Sequence, residues 1–135
     1  MKPLPGTLGC LVALTAVVLG AFGAHALEDT LAEADTTAVW QTAVDYHMWH
    51  ALALVLCALM GKTSPALRAA VSFFAAGILL FSGSLYWLAL GGPGWLGPVT
   101  PLGGLSLMLG WIFLGLAFWK RESTPTTKNS GMRPR

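Results

Sequence analysis

A chain of 135 residues that is 55% hydrophobic and only 10% charged would expose far too much apolar surface as a water-soluble domain, so lipid must cover it. Its net charge is +2, and its eight Lys and Arg residues fall outside the long apolar runs, which argues orientation in a bilayer and not a nucleic-acid surface. Two cysteines are too few for a disulfide framework.

Four apolar stretches approach the ~20 residues that a bilayer core requires: 7–27, 38–60, 69–90 and 102–119. The first follows Lys2 and ends in Ala24-His25-Ala26, which resembles a signal-peptide cleavage site. The run from Thr7 to Ala24 exceeds the ~7 to 15 residues of such a signal, so an uncleaved anchor is expected. Ala16, Gly20 and Ala24 recur at every fourth residue, as Ser106 and Gly110 do in the last span, a spacing that lets helix backbones approach. Residues 27–34 read as a short amphipathic helix lying on the outer surface, with Leu27 and Leu31 on one side, and Asp35 reads as the N-cap of the second span. The third connection, residues 91–101, carries three prolines and is expected to be an apolar loop with Trp95 at headgroup level. Cys10 and Cys57 read as buried thiols.

Charge assigns the sides. Lys2, Lys62, Arg68, Lys120, Arg121, Lys128, Arg133 and Arg135 fall on one face of this pattern, whereas the first connection holds Glu28, Asp29, Glu33 and Asp35 without a base. Both ends are therefore expected in the cytoplasm. The fold class is an all-α membrane protein, a four-helix transmembrane bundle with a short outer helix between spans one and two. Residues 1–119 form a single domain, and 120–135 a disordered basic tail able to touch anionic headgroups.

Apart from Thr15, Ser72 and Ser106, the polar groups inside the spans gather toward the outer half of the bundle. His47 and His50, three apart, share a face of the second span, and Ser82 and Tyr86, four apart, share a face of the third, with Ser84 between them. Polar groups in a bilayer tend to face one another or a cavity, so the plainest reading is an interhelical hydrogen-bond network. A sharper one makes His25, His47 and His50 three imidazole ligands of a metal, or two of them the ligands of a haem. Asp45 lies about 200° round the helix from His47 and does not join that set.

Four segments together resemble one family. They are Gly20-Ala21-Phe22-Gly23-Ala24-His25-Ala26-Leu27; Trp40-Gln41-Thr42-Ala43-Val44 with Tyr46 and His50-Ala51-Leu52-Ala53-Leu54; Leu80-Phe81-Ser82-Gly83-Ser84-Leu85-Tyr86; and Gly97-Pro98-Val99-Thr100-Pro101-Leu102-Gly103-Gly104 with Gly110-Trp111. In this order they resemble the YgdD-like inner-membrane proteins, a domain-of-unknown-function family with mitochondrial relatives. The resemblance implies a four-helix protein of the bacterial inner membrane and supplies no catalytic residues. It also implies Gln as a common residue at the position of His47, which leaves His25, Tyr46, His50, Ser82, Ser84 and Tyr86 as the candidate ligand-binding or network residues.

No motif specifies a reaction or a cofactor. The leading expectation is a binding or accessory protein that docks on a larger membrane complex, or on further copies of itself, or holds a lipid-like molecule such as a quinone. A metal or haem redox protein is the second class. A small-solute transporter is the third, and four spans without an internal repeat would require an oligomer for it.

Overall fold

The computed structural model describes residues 4–61 and 64–123. Among the described residues six α-helices form, α1 (Leu4–Ala24), α2 (Glu28–Glu33), α3 (Thr37–Leu59), α4 (Pro65–Gly77), α5 (Gly83–Ala89) and α6 (Val99–Glu122). A π-helical segment, Ile78–Ser82, joins α4 to α5 without a break, and a 3₁₀ turn, Gly94–Leu96, precedes α6. Among the described residues four stretches are long and apolar enough to cross a membrane: Gly6–Ala24, Thr37–Leu59, Pro65–Ala89 and Gly94–Glu122. At 1.5 Å per residue, α3 alone is about 34 Å long, enough for a ~30 Å hydrocarbon core.

Small residues decide which helices touch. α1 lies antiparallel on α3, with Gly6 opposite Ala58, Gly9 against the backbone of Val55, Gly20 opposite Val44 and Gly23 against the Trp40 indole. A Cβ on Gly9 would meet Val55 N at 2.9 Å, so the two backbones approach only because it is absent. Ala16 is fully buried on this seam, whereas Ala24, expected to share it, is exposed. On the other side α6 packs antiparallel along α4 and the π segment: Gly77 meets Leu107, Gly110 meets the Phe74 ring, and Gly103 meets the backbone of Leu80 and Phe81. The central core, with Leu54, Cys57, Leu67, Phe74, Ile78, Leu107 and Leu114 all buried, lies between α3, the third span and α6.

Local chemistry sets the ends. Ser64 caps α4 by accepting from Leu67 N at 3.1 Å, with Pro65 in the first turn, so the third span begins before residue 69. Asp35 takes the left-handed conformation (φ 54°) that ends α2, and so does not cap α3. Thr36 flanks α3 instead, and its hydroxyl donates to Ala89 O at 2.8 Å, tying the entry of the second span to the exit of the third. α2 does not rest on the surface by its apolar side: Leu31 is 1% exposed in a cluster with Trp40 and Ala89. Part of the third connection is helical after all, because α6 starts at Val99 and Pro101 falls in its first turn, where a missing N–H breaks no helix bond. Trp95 is exposed and Leu96 buried.

At the opposite end, α6 continues through Lys120, Arg121 and Glu122, residues expected to be disordered, and residues 124–135 of the basic tail lie outside the described residues, as do Lys2 and Lys62. Arg121 donates to Met60 O at 3.1 Å, satisfying a carbonyl at the C-terminus of α3. α3 and α6 are thus parallel and end together.

Candidate functional site

Thr37 to His47 is about 15 Å along α3 and Thr37 to His50 about 20 Å, so both imidazoles sit near the middle of the span. Although three residues apart, they serve different neighbours. His47 faces α1 and α5: its Nε2 lies 3.3 Å from Thr15 Oγ1 and its Nδ1 3.2 Å from Tyr86 Oη. His50 faces α6, with its Nδ1 2.7 Å from Tyr46 O and its Nε2 3.2 Å from the Trp111 indole nitrogen.

The partners fix where the protons lie. A carbonyl only accepts and an indole N–H only donates, so His50 donates from Nδ1 and accepts at Nε2. Its ring is then wedged between Tyr46, Phe74 and Trp111 at centroid distances of 5.8, 5.7 and 6.1 Å. For His47 the logic runs from Thr15, whose hydroxyl donates to Val12 O at 2.8 Å and therefore accepts from His47 Nε2–H. Nδ1 is left to accept from the Tyr86 hydroxyl. The chain Tyr86 to His47 to Thr15 to Val12 ends on a backbone carbonyl inside α1, so it orders three helices and leads no proton to water.

Neither histidine keeps a ring nitrogen for a metal. His25 lies in the turn just past the end of α1, ten residues beyond Thr15, and is exposed. Among the described residues no three His, Cys, Asp or Glu side chains come close enough to hold an ion, so the set His25, His47 and His50 does not assemble. Both cysteines are free; Cys57 is buried, but Cys10 is exposed on α1, contrary to expectation.

Ser84 and Ser82 part company at the π segment. Ser84 Oγ donates to Phe81 O at 2.9 Å and lies 2.7 Å from Thr100 Oγ1 on α6. Ser82 is 1% exposed, and its Oγ has no hydrogen-bond partner among the described residues. The carbonyl one turn back, Ile78 O, accepts the Gly83 N–H in the widened turn. Ser82 lines a cleft of about 290 Å³ between α1 and the third span, floored by His47 and Leu54 of α3 and walled by Leu8, Val12, Thr15 and Leu19 on one side and Ile78, Leu79, Gly83 and Tyr86 on the other. Its polar groups gather toward one end, and from there to the end marked by Met60 and Arg121 the walls are aliphatic.

The structure thus joins His47 and Tyr86, and brings Ser82 to the same cleft, while His50 and Tyr46 form a second cluster with Phe74 and Trp111, Ser84 joins α6, and His25 stands apart. Sequence reasoning placed Thr15 outside the polar layer and gave Trp111 no role; the signal for both lies in helix register, since the glycines of α1 set Thr15 opposite His47. It set Asp45 apart from the histidines but did not pair it with Gln41, and these two side chains hydrogen-bond at 2.8 Å on the outward side of α3 beside exposed Trp49 and Leu52.

A helical bundle with four spans, internal polar clusters and a cleft opening toward the lipid defines a multi-pass membrane protein. Comparison with known proteins gives its family. The profile described as "Protein of unknown function (DUF423)" matches residues 19–104, more than half of the sequence, and the chain belongs to that family. It is 44% identical over 114 residues to a UPF0382 membrane protein of Staphylococcus epidermidis, a match covering 84% of this chain and 93% of that one. It is 42% identical over 113 residues to the UPF0382 membrane protein YwdK of Bacillus subtilis, covering 82% and 91%. With a UPF0382 membrane protein of Haemophilus influenzae it shares 38% over 118 residues, covering 87% and 94%. No solved structure matches.

Proposed function

We propose that this protein is a membrane-embedded binding protein that holds a lipid-like molecule, such as a quinone, in the cleft between α1 and the third span. The observation that carries this reading is the cleft itself: it is open to the bilayer, mostly aliphatic, and has His47, Ser82 and Tyr86 at one end, the composition expected of a small-molecule site. A location in the bacterial inner membrane and the YgdD-like kinship belong to the same proposal, supported by the bacterial relatives. Labelling with a photoreactive alkyl probe in native membranes tests it. Gly83 lines the cleft and has open space where a Cβ would stand, so Gly83→Leu fills the cleft without touching the backbone of another helix. Labelling should map to Val12, Leu54 or Leu79 and vanish in Gly83→Leu. Labelling spread evenly over the outer surface, and indifferent to Gly83→Leu, would defeat the proposal.

A second reading, docking on a larger membrane complex, is favoured by one observation. The Gln41 and Asp45 pair lies about 6 to 12 Å into α3 on its outward side, where a carboxylate against lipid costs about 2.5 to 3.5 kcal/mol. A partner helix offering a hydrogen-bond donor or a base at that depth would offset the cost. Native gel electrophoresis of membranes solubilised in mild detergent should then show a complex that Asp45→Leu dissolves. A complex unaffected by Asp45→Leu, or a single small species from the start, counts against it.

A further inference from the structure

We infer that the outward face of α3 is the docking seam for one transmembrane helix of another protein, and that this helix carries a lysine or arginine level with Asp45. This rests on the docking reading given above and adds the seam, its depth and the chemistry of the partner. Three observations lead to it.

The first is depth. α1 and α3 run in one antiparallel register, with Gly9 against Val55, Gly20 opposite Val44 and Gly23 against Trp40, so Asp45 stands level with Leu19 and Gln41 with Gly23. The contacts of His50 with Trp111 and of Met60 with Arg121 set α6 alongside, so Asp45 also stands level with Ser106 and Gln41 with Leu102. At these heights α1 exposes Val18 and Phe22, and α6 exposes Leu102 and Leu105. The outward side chains of both flanking helices are therefore apolar there, which puts the Asp45 carboxylate at hydrocarbon depth and not in the water layer.

The second is charge. Gln41 Nε2 donates to one carboxylate oxygen of Asp45 at 2.8 Å, a neutral donor that leaves the charge in place. The Lys and Arg side chains among the described residues are Arg68, Lys120 and Arg121, and all three lie at the other end of the bundle. Ionised groups within spans pair with one another, so what complements this carboxylate is a base. The third is shape. Gln41, Asp45, Trp49, Leu52, Leu56 and Leu59 recur at intervals of four and three along α3; Asp45 is partly exposed and the others are exposed. That spacing is the seam along which one helix packs at a shallow angle. A second copy of this chain fits it badly, because two copies related by an axis along the membrane normal would set Asp45 against Asp45.

The test uses the full chain in its own membranes and has two arms. The first reads the native complex by gel electrophoresis after solubilisation in mild detergent. Asp45→Asn keeps the size of the side chain and an acceptor for Gln41 but removes the charge, and it should dissolve the complex as fully as Asp45→Leu does. A complex that survives Asp45→Asn and is lost in Asp45→Leu overturns the base, leaving a partner with a neutral donor and the docking reading intact. A complex indifferent to both variants removes the docking reading as well. The second arm supplies a base of known position by co-expressing wild type with Asp45→Lys under different tags. The mixed pair should co-isolate about fivefold or more above either like pair, the scale of one polar contact between helices. Wild type recovering wild type as well as it recovers Asp45→Lys overturns the proposal, because the seam then takes a second copy. Failure of the mixed pair to co-isolate overturns it too. Melting of each variant in detergent, beside wild type, shows that it is folded; where Asp45→Lys is not, the asparagine arm decides alone.

Discussion

The indole N–H of Trp111 donates to Nε2 of His50 at 3.2 Å across 61 residues of sequence, and Arg121 meets Met60 O across the same separation. Two contacts at one offset hold α3 and α6 parallel and in register. The first ends on a buried imidazole packed among aromatic rings and the second sits at the bundle end, so the first should matter more to stability.

His50→Ala is expected to lower thermal stability in detergent most among the histidine variants. It leaves the Trp111 N–H without its acceptor, about 1 to 3 kcal/mol, and opens a hole beside fully buried Phe74. His50→Gln keeps a donor and an acceptor and should fall between alanine and wild type. Equal melting temperatures for all three proteins would show that this cluster contributes nothing to the bundle.

His47→Gln should be mild, because an amide can accept from Tyr86 and donate to Thr15 as the imidazole does. His47→Leu removes both bonds and should loosen α1 from the bundle. Protease access to the first span, measured in both variants, should rise only in the leucine protein. A matching rise in the glutamine variant would mean that ring shape, and not hydrogen bonding, holds α1.

Gly103→Ala should destabilise by about 1 to 3 kcal/mol, since its Cβ would strike the backbone of Phe81, which no rotamer change relieves. Gly115→Ala, with nothing within 4 Å, should be neutral or stabilising by up to about 1 kcal/mol. Comparing their denaturation midpoints checks the packing of α6 directly; similar values would place that helix wrongly.

Topology follows from the basic residues and the shared end of α3 and α6. Single cysteines in 28–36 or 92–97 should react with an impermeant maleimide from outside, and those near Gly61 or Ser123 only from inside. Reaction of Ser123→Cys from outside would invert the bundle.

Retention of α1 is expected because Gly9, Ala16 and Gly23 seat it on α3 and Thr15 completes the His47 chain. Intact mass should include residues 1–26. A mass matching cleavage after Ala26 would remove one wall of the cleft.

What the sequence by itself determined was the solvent and the number of crossings. The bilayer enforces a length of ~20 apolar residues locally, and one-sided placement of Lys and Arg is visible without any contact being known. Helix register was not visible, because in a bilayer apolar residues face lipid and protein alike and leave no periodic stripe to mark the buried side. That is why His47 and His50 read as one site and the structure divides them between α1 and α6, and why Thr15 read as isolated. The roles of Ser82 and Ser84 were decided later still. Both are serines two residues apart on one apolar span, and only the packing of α6, close enough there that Gly103 meets the backbone of Phe81, gives Ser84 the Thr100 hydroxyl as a partner and leaves the Ser82 hydroxyl buried without one among the described residues.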